Sequence, residues 1–197
     1  MGWEGVFAHL SSTIKEMYMR KQILTTTLVL ISLIVTVPFV ALHGKDIIPL
    51  DGITFTDLTP SAKKEVECLA DNIYFESAYE PKDGKIAVGL VTMNRVKHGF
   101  ENSVCGVVKQ KTRETCQFSW YCDAKSKMTA LYKEHYFNDK QREVYKEAQN
   151  VAVYVYMNHD AIKDNTKGAL YYHADYVNPG WKLRKTAVIG RHIFYTP

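Results

Sequence analysis

No Gly-x-Ser-x-Gly stretch, no His-x3-His pair and no Cys-x2-Cys pair occurs in the 197 residues. The first absence removes the nucleophile elbow of a serine esterase. The other two leave no familiar spacing for a zinc site, structural or catalytic. Low-complexity tracts and internal repeats are also missing. Charge of one sign is scarce: 25 Lys and Arg stand against 21 Asp and Glu, for a net charge of +4. That excess is compatible with solvated surface charge or with attraction to an anionic polymer. It is far from the dense basic stripe of a nucleic-acid binder, and no nucleic-acid partner is expected.

Two further absences are local. Residues 23–42, "ILTTTLVLISLIVTVPFVAL", carry no charge over 20 positions, enough to cross a bilayer. Lys15, Arg20 and Lys21 precede this run, and only Lys45 and Asp46 follow closely. The positive-inside rule then expects residues 1–22 in the cytoplasm and everything after His43 outside it. Small residues are lacking where signal peptidase needs them, since the candidate −3/−1 pairs are Phe39/Ala41 and Ala41/His43. The run therefore reads as an uncleaved signal-anchor. Thr25, Thr26, Thr27, Ser32, Thr36 and Pro38 make it only moderately apolar, which leaves release from the membrane open.

Cysteine is absent before this segment and appears four times after it, at Cys68, Cys105, Cys116 and Cys122. Four cysteines in an exported domain suggest two disulfides, for which three connectivities exist. Intervals of 37, 11 and 6 positions disfavour a zinc site.

What is present reads as one α+β domain, mainly helical with a small β-sheet, over residues 61–197, near the size of a small lysozyme-like catalytic domain. Residues 43–60, rich in Pro, Gly and Asp, read as a linker. Thr59 and Pro60 suit the cap and first position of a helix whose apolar stripe is Val66, Leu69, Ala70 and Ile73. A second helix over "GKIAVGLVTMNRVKHG" places Ile86, Gly89, Leu90, Met93 and Val96 on one face and stops at Gly99. A third runs from about Asp139 to Asn158, with Val144, Ala148, Val151, Ala152 and Val155 inward. Residues 100–138 read as irregular, and "GALYYHADY" and "RHIFYTP" as short strands.

Three stretches carry candidate chemistry. In "NIYFESAYEPKDGK", Glu76 lies roughly 60° from the centre of the first helix's apolar stripe. An edge position lets a carboxyl be partly desolvated yet reach a cleft, which raises its pKa towards that of a general acid. A local cap or salt bridge is the alternative. Glu80, just before Pro81, reads as a turn or clamp residue. In "TCQFSWYCD", Gln117, Ser119 and Trp120 offer an amide, a hydroxyl and a flat aromatic face, the mixture of sugar-binding clefts and equally of a packed aromatic loop. "LYYHADYVNPGW" adds Tyr171, Tyr172, His173, Asn178 and Trp181. His192 reads as a structural histidine on a strand. No metal or cofactor is expected.

Taken together, "CLADNIYFESAYEPKDGKIAVGLVTMNRV", "VCGVVKQ", "CQFSW" with "CD", "ALYYHADYVNPGW" and "IGRHIFY" resemble, in order, the SleB-like cell wall hydrolases. The resemblance covers roughly residues 66–197. It implies a lysozyme-like or lytic-transglycosylase-like fold that cleaves the glycan of peptidoglycan. The family's catalytic glutamate falls on Glu76, the first acid of its Glu-Ala-Arg-Gly-Glu block. Here that block reads Glu76-Ser77-Ala78-Tyr79-Glu80, keeping both acids but not the arginine and glycine. By the same resemblance Gln117, Phe118, Ser119 and Trp120, with Tyr172 and His173, line the cleft; Glu80 and Trp181 are counted with them. The disulfides are implied to be support and not chemistry.

Glycoside hydrolysis normally needs two carboxylates, whereas a lytic transglycosylase works with one. Glu76 alone has a suitable setting, since turn or surface roles suit Asp123 and Asp175 better. The expected reaction therefore uses Glu76 as acid and then base and leaves 1,6-anhydro-muramoyl ends. Muramidase hydrolysis, amidase cleavage of the peptide stem and a membrane-anchored, non-catalytic peptidoglycan-binding protein are the alternatives. A releasable anchor also occurs in the signal-arrest-release lysins of some bacteriophages. The partners implied are peptidoglycan glycan strands and, through residues 23–42, a membrane; the sequence carries no signal for oligomeric state.

Overall fold

The computed structural model describes Pro49 and residues 52–113, 115–123 and 130–197. The expected cytoplasmic segment and membrane span, 1–22 and 23–42, lie outside these residues. Among the described residues no helix is long and apolar enough to cross a membrane.

Helix α1, Pro60–Ser77, starts where the cap residues place it: the Thr59 side chain accepts the Ala62 N–H at 3.3 Å. Its stripe of Val66, Leu69, Ala70 and Ile73 is fully buried. Helix α2, Lys82–Lys97, departs from the one-faced expectation. Leu90 and Met93 join the main core, but Ala87 and Val91 on another side are equally buried beneath Phe194 of the sheet. A helix covered on two sides loses the amphipathic contrast from which a single face is read. Gly89 sits where a Cβ would meet Ile73 Cδ1 and both Val155 methyls at 3.3 Å, so the three long helices cross closely there. Gly99, at φ +74°, ends α2.

Residues 100–138 are more regular than expected. They contain α3, Val104–Lys109, capped by Ser103 onto the Gly106 N–H at 2.9 Å. The two-residue strands β1, Lys111–Thr112, and β2, Thr115–Cys116, pair antiparallel. Two more short helices follow, α4, Ser119–Cys122, and α5, Ala130–Tyr136. Elements this brief complete too few turns to show a period. Helix α6, Asp139–Asn158, matches the expected third helix, and Asn138 and Gln141 close a reciprocal cap at its start. The preceding segment is no free linker near its end. Thr54–Asp57 form a capped 3₁₀ turn, and Leu58 is buried against the core with Ile53 and Phe55 beside it.

The sheet has three antiparallel strands, β3 (Tyr171–Ala174), β4 (Arg184–Ile189) and β5 (His192–Thr196), in the order β3-β5-β4. Strand β4 was not legible in "RKTAVI", whose first two residues are exposed and whose pairing slips between Lys185 and Ala187. Tyr172 pairs with Phe194 and Tyr171 with Tyr195. Alternation along a strand then sets Tyr172 and Phe194 on the side facing α2, and Tyr171, His173 and Tyr195 on the other.

Candidate active site

Glu76 is delivered by the last turn of α1 and is half-buried as a residue, three positions after the fully buried Ile73. Desolvation raises its pKa above the ordinary glutamate range, and the Tyr172 hydroxyl and the Arg95 guanidinium work in the opposite direction. The Tyr172 hydroxyl is itself buried and lies beside the carboxyl, but it meets strict hydrogen-bond geometry with no partner. The contact is a loose one, open to tightening. Among the described residues no second carboxylate is among the groups that act on Glu76.

Arg95 was not singled out from the sequence, although an arginine in "TMNRV", amid apolar helix positions, is the signal for it. It is 3% exposed. Its Nε donates to the Leu170 carbonyl at 2.8 Å, which ties α2 to the start of β3. The guanidinium lies over the Phe118 ring at 4.9 Å, with the rings of Phe100 and Tyr171 each at 5.9 Å. With the Gln117 amide oxygen turned towards it, Nη1 and Nη2 both donate to that oxygen at 3.2 Å. One buried cation thus joins the 117–120 loop, the sheet and the catalytic candidate.

The loop is further secured from α1. Trp120 stacks on Phe75, centroids 4.5 Å apart and planes 17° apart, and its indole N–H donates to Asn72 Oδ1 at 3.0 Å. Asn72, fully buried, donates in turn to Thr92 Oγ1 at 3.2 Å. The disulfide Cys116–Cys122 closes the loop at its base, and Cys68–Cys105 joins α1 to α3. All four cysteines are therefore paired, through one of the three connectivities the sequence allowed.

The structure brings together some of the residues chosen from sequence and separates others. Gln117 and Tyr172 gather around Arg95 with Glu76. Phe118 is buried beneath the guanidinium, so its contact is with Arg95, while Ser119 is exposed. Glu80 is engaged elsewhere: its Oε2 accepts the Arg191 backbone N–H at 2.9 Å. His173 and Trp181 lie on the other side of the sheet from Tyr172. There His173 Nε2 and the Tyr195 hydroxyl are 2.9 Å apart, and the half-exposed Trp181 ring stands edge-on to Tyr171, His173 and Tyr195. Asp175 pairs with Arg191 at 3.3 Å, and Asp123 follows α4 on the surface. His192 is buried in β5 and its pKa is lowered by desolvation.

Other features lie apart from this chemistry. Lys133 of α5 meets Asp71 at 2.6 Å, and the Tyr145 hydroxyl donates to the same Asp71 oxygen at 2.8 Å, so this polar knot pins α5 to α1 and α6. A concavity of about 820 Å³ is lined by Ile53, Phe55, Lys82, Lys146 and Gln149 and does not include Glu76. Among the described residues no three His, Cys, Asp or Glu side chains converge as a metal site.

A desolvated carboxyl beside a hydroxyl and a buried cation, on a helix end that faces an amide-bearing aromatic loop, is the equipment of an acid–base enzyme. The chain belongs to the cell wall hydrolase family, which matches residues 79–195, well over half its length. Glu76 lies three residues before the matched segment. Among solved structures, the chain is similar to the catalytic domain of the Bacillus cereus SleB protein, at 25% identity and a TM-score of 0.46 over 68% of this chain and 91% of that one. It is likewise similar to the catalytic domain of the germination-specific lytic transglycosylase SleB from Bacillus anthracis, at 25% identity and a TM-score of 0.47 over 68% of this chain and 95% of that one. No curated protein matches the chain.

Proposed function

We propose that this cell wall hydrolase cleaves the MurNAc–GlcNAc bond of peptidoglycan as a lytic transglycosylase, with Glu76 as its single acid and base. The observation that carries the proposal is the desolvated Glu76 carboxyl, acted on by Tyr172 and Arg95 and by no second carboxylate among the described residues. A protonated Glu76 gives its proton to the glycosidic oxygen as the C1–O bond breaks, and C1 takes on oxocarbenium character. The resulting carboxylate then removes the proton of the same muramoyl residue's C6 hydroxyl as that oxygen attacks C1. The products are a 1,6-anhydro-muramoyl end and a free GlcNAc 4-hydroxyl, water is not consumed, and Glu76 ends protonated. A raised pKa suits the first step, because it keeps the acid form populated to higher pH than an ordinary glutamate allows. The Tyr172 hydroxyl, unpartnered at rest, is placed to donate to the carboxylate between the steps.

Glycan contacts are assigned to Gln117, Ser119 and Trp120, whose loop is braced by Arg95, Asn72 and the Cys116–Cys122 bridge. His173 and Trp181 are assigned to the same glycan surface on the other face of the sheet from Tyr172, where Trp181 stands against Tyr171. Two disulfides fit an oxidising, extracytoplasmic compartment. Anchoring through residues 23–42, with the catalytic domain outside the cytoplasmic membrane and release from it as in phage lysins, is part of the same proposal. It rests on the sequence.

Product analysis of digested sacculi tests the chemistry. Anhydro-muropeptides from wild type and their loss in Glu76→Gln are expected. Reducing ends that carry added water would replace the proposal with muramidase hydrolysis, and cleaved peptide stems would replace it with amidase action. An unchanged Glu76→Gln would remove the glutamate from the mechanism.

A further inference from the structure

Three tyrosines near the end of the helix that carries Glu76 are left in water. Tyr79 is 82% exposed, Tyr136 71% and Tyr132 39%. A single exposed aromatic is ordinary, whereas a set of them on one stretch of surface marks a contact site. Tyr79 follows Glu76 by three positions and Phe75 by four, and Ala78 between them keeps right-handed helical backbone. Its side chain therefore leaves the end of α1 beside both. Tyr79 also stands at the glycine of the Glu-Ala-Arg-Gly-Glu block. Its own φ is not positive, so the turn does not call for glycine there.

An unbroken series of ring contacts leads from the 117–120 loop to the other two tyrosines. Phe75 stacks on Trp120 at 4.5 Å and meets Tyr74 edge-on at 5.4 Å. Tyr74 stacks on Phe137 at 5.4 Å, and Phe137 directly follows α5. Lys133, one turn before Phe137, is bound to Asp71 of α1 at 2.6 Å. These two positions fix α5 against the end of α1. Tyr132 and Tyr136 each precede one of them by a single residue, so they share the adjoining face of α5, where they stack at 4.8 Å with planes 27° apart. Burial raises the pKa of Tyr74, and Tyr79 and Tyr132 add to the rise, which puts both close to its hydroxyl.

We propose that Tyr79, Tyr132 and Tyr136 prolong the glycan cleft beyond Trp120 as a row of stacking faces, so that the enzyme prefers long glycan strands to short ones. The inference deepens the glycan-cleaving proposal and rests on it. Two observations commit the row to a glycan. It is continuous with Phe75 and Trp120 and with the helix end that holds Glu76, and a strand bound across the cleaved bond must run on past it. Its chemistry also matches: a tyrosine offers a flat apolar face with a hydroxyl at the rim, and a pyranose offers an apolar C–H face with hydroxyls at its rim.

The test compares kcat/KM of the full chain on peptide-free glycan strands sorted into long strands and tetrasaccharides. The readout is the ratio of the two within each enzyme, so the fraction of folded protein cancels. Wild type is expected to favour long strands by at least about tenfold, the product of several ring contacts. Tyr79→Ala and Tyr136→Ala should each lower the ratio about two- to tenfold, through KM on long strands. The double alanine variant should bring it to within a few-fold of one. Tyr136→Phe, which keeps the ring, should keep the wild-type ratio. A wild-type ratio near one, an unchanged ratio in the double variant, or a Tyr136→Phe ratio as low as that of Tyr136→Ala overturns the inference and leaves glycan cleavage standing. A wild type that releases peptide stems from sacculi and cuts neither glycan overturns both.

Discussion

The carboxylate of Glu80 accepts the backbone N–H of Arg191 at 2.9 Å, joining residues 111 positions apart. Through this bond the turn between α1 and α2 is held to the turn between β4 and β5. Gly190 completes the arrangement. It has φ +56°, and a Cβ there would lie 1.9 Å from Glu80 Oε2. Gly190→Ala should therefore lower stability by about 1–3 kcal/mol, from left-handed strain and displacement of the carboxylate. Glu80→Ala should cost less, because it removes the bond without the clash. Urea denaturation of the two variants and their combination checks this. The double variant should lose less than the sum, since the clash requires the glutamate.

Glu76 should be a site where activity and stability oppose each other. Its raised pKa means that the folded chain holds this proton more tightly than the unfolded chain does. Below the ordinary value of 4.5 both states are protonated and burial of the group carries no ionic penalty. As pH rises through that value the unfolded chain ionises first, and folding stability falls until the native group ionises too. Glu76→Gln should thus raise stability at neutral pH on the order of 1 kcal/mol, about 2–4 °C in Tm, while abolishing cleavage. The gain should shrink to nothing as the pH falls below about 4.5. A thermal melt series across pH reads it directly.

Tyr172→Phe should move the pH dependence of activity in a defined direction. Desolvation is the largest influence on Glu76 and the tyrosine hydroxyl offsets part of it. Without the hydroxyl the carboxyl stays protonated to higher pH, so the alkaline limb of kcat/KM shifts upward. Maximal kcat should fall, by about tenfold for one lost hydrogen bond to a charged group. A profile that drops uniformly without a shift would mean that the hydroxyl has no bearing on the glutamate.

The Cys68–Cys105 bridge spans 37 residues and ties α1 to α3. Its replacement by two serines should lower stability by about 3–4 kcal/mol through regained chain entropy. The Cys116–Cys122 bridge closes only 6 residues and should matter less to global stability, about 2 kcal/mol. Its loss should act chiefly on KM, because it restrains the loop that carries Gln117 and Trp120. Calorimetry together with kinetics on each bridge variant separates the two effects.

Several features were open to reading from local pattern alone. The cap at Thr59–Pro60, the stripe of α1, and α6 from its acidic start to Asn158 depend on neighbours within a few residues. So did the position of Glu76 at the edge of a buried stripe. Short elements did not yield: α3, α4 and α5 are too brief for a period, and β4 has a bulge that breaks its alternation. The burial of α2 on two sides was hidden because its second cover, Phe194, lies about a hundred residues further on.

By itself the sequence determined the chemistry available: an acid on a helix end, an amide and indole between two cysteines, a tyrosine–histidine pair on a strand. Period and composition are local, and they state which groups a segment offers. Only the tertiary structure decided how those groups combine. Strand alternation sends Tyr172 to the Glu76 side and His173 to the other, where Trp181 packs edge-on against it. Helix α2 brings in Arg95, whose charge is tolerable in the core only because Leu170, Gln117 and three aromatic rings surround it. Burial, electrostatics and hydrogen-bond geometry act between residues distant in the chain, and those contacts place Glu76 among the partners that govern its proton.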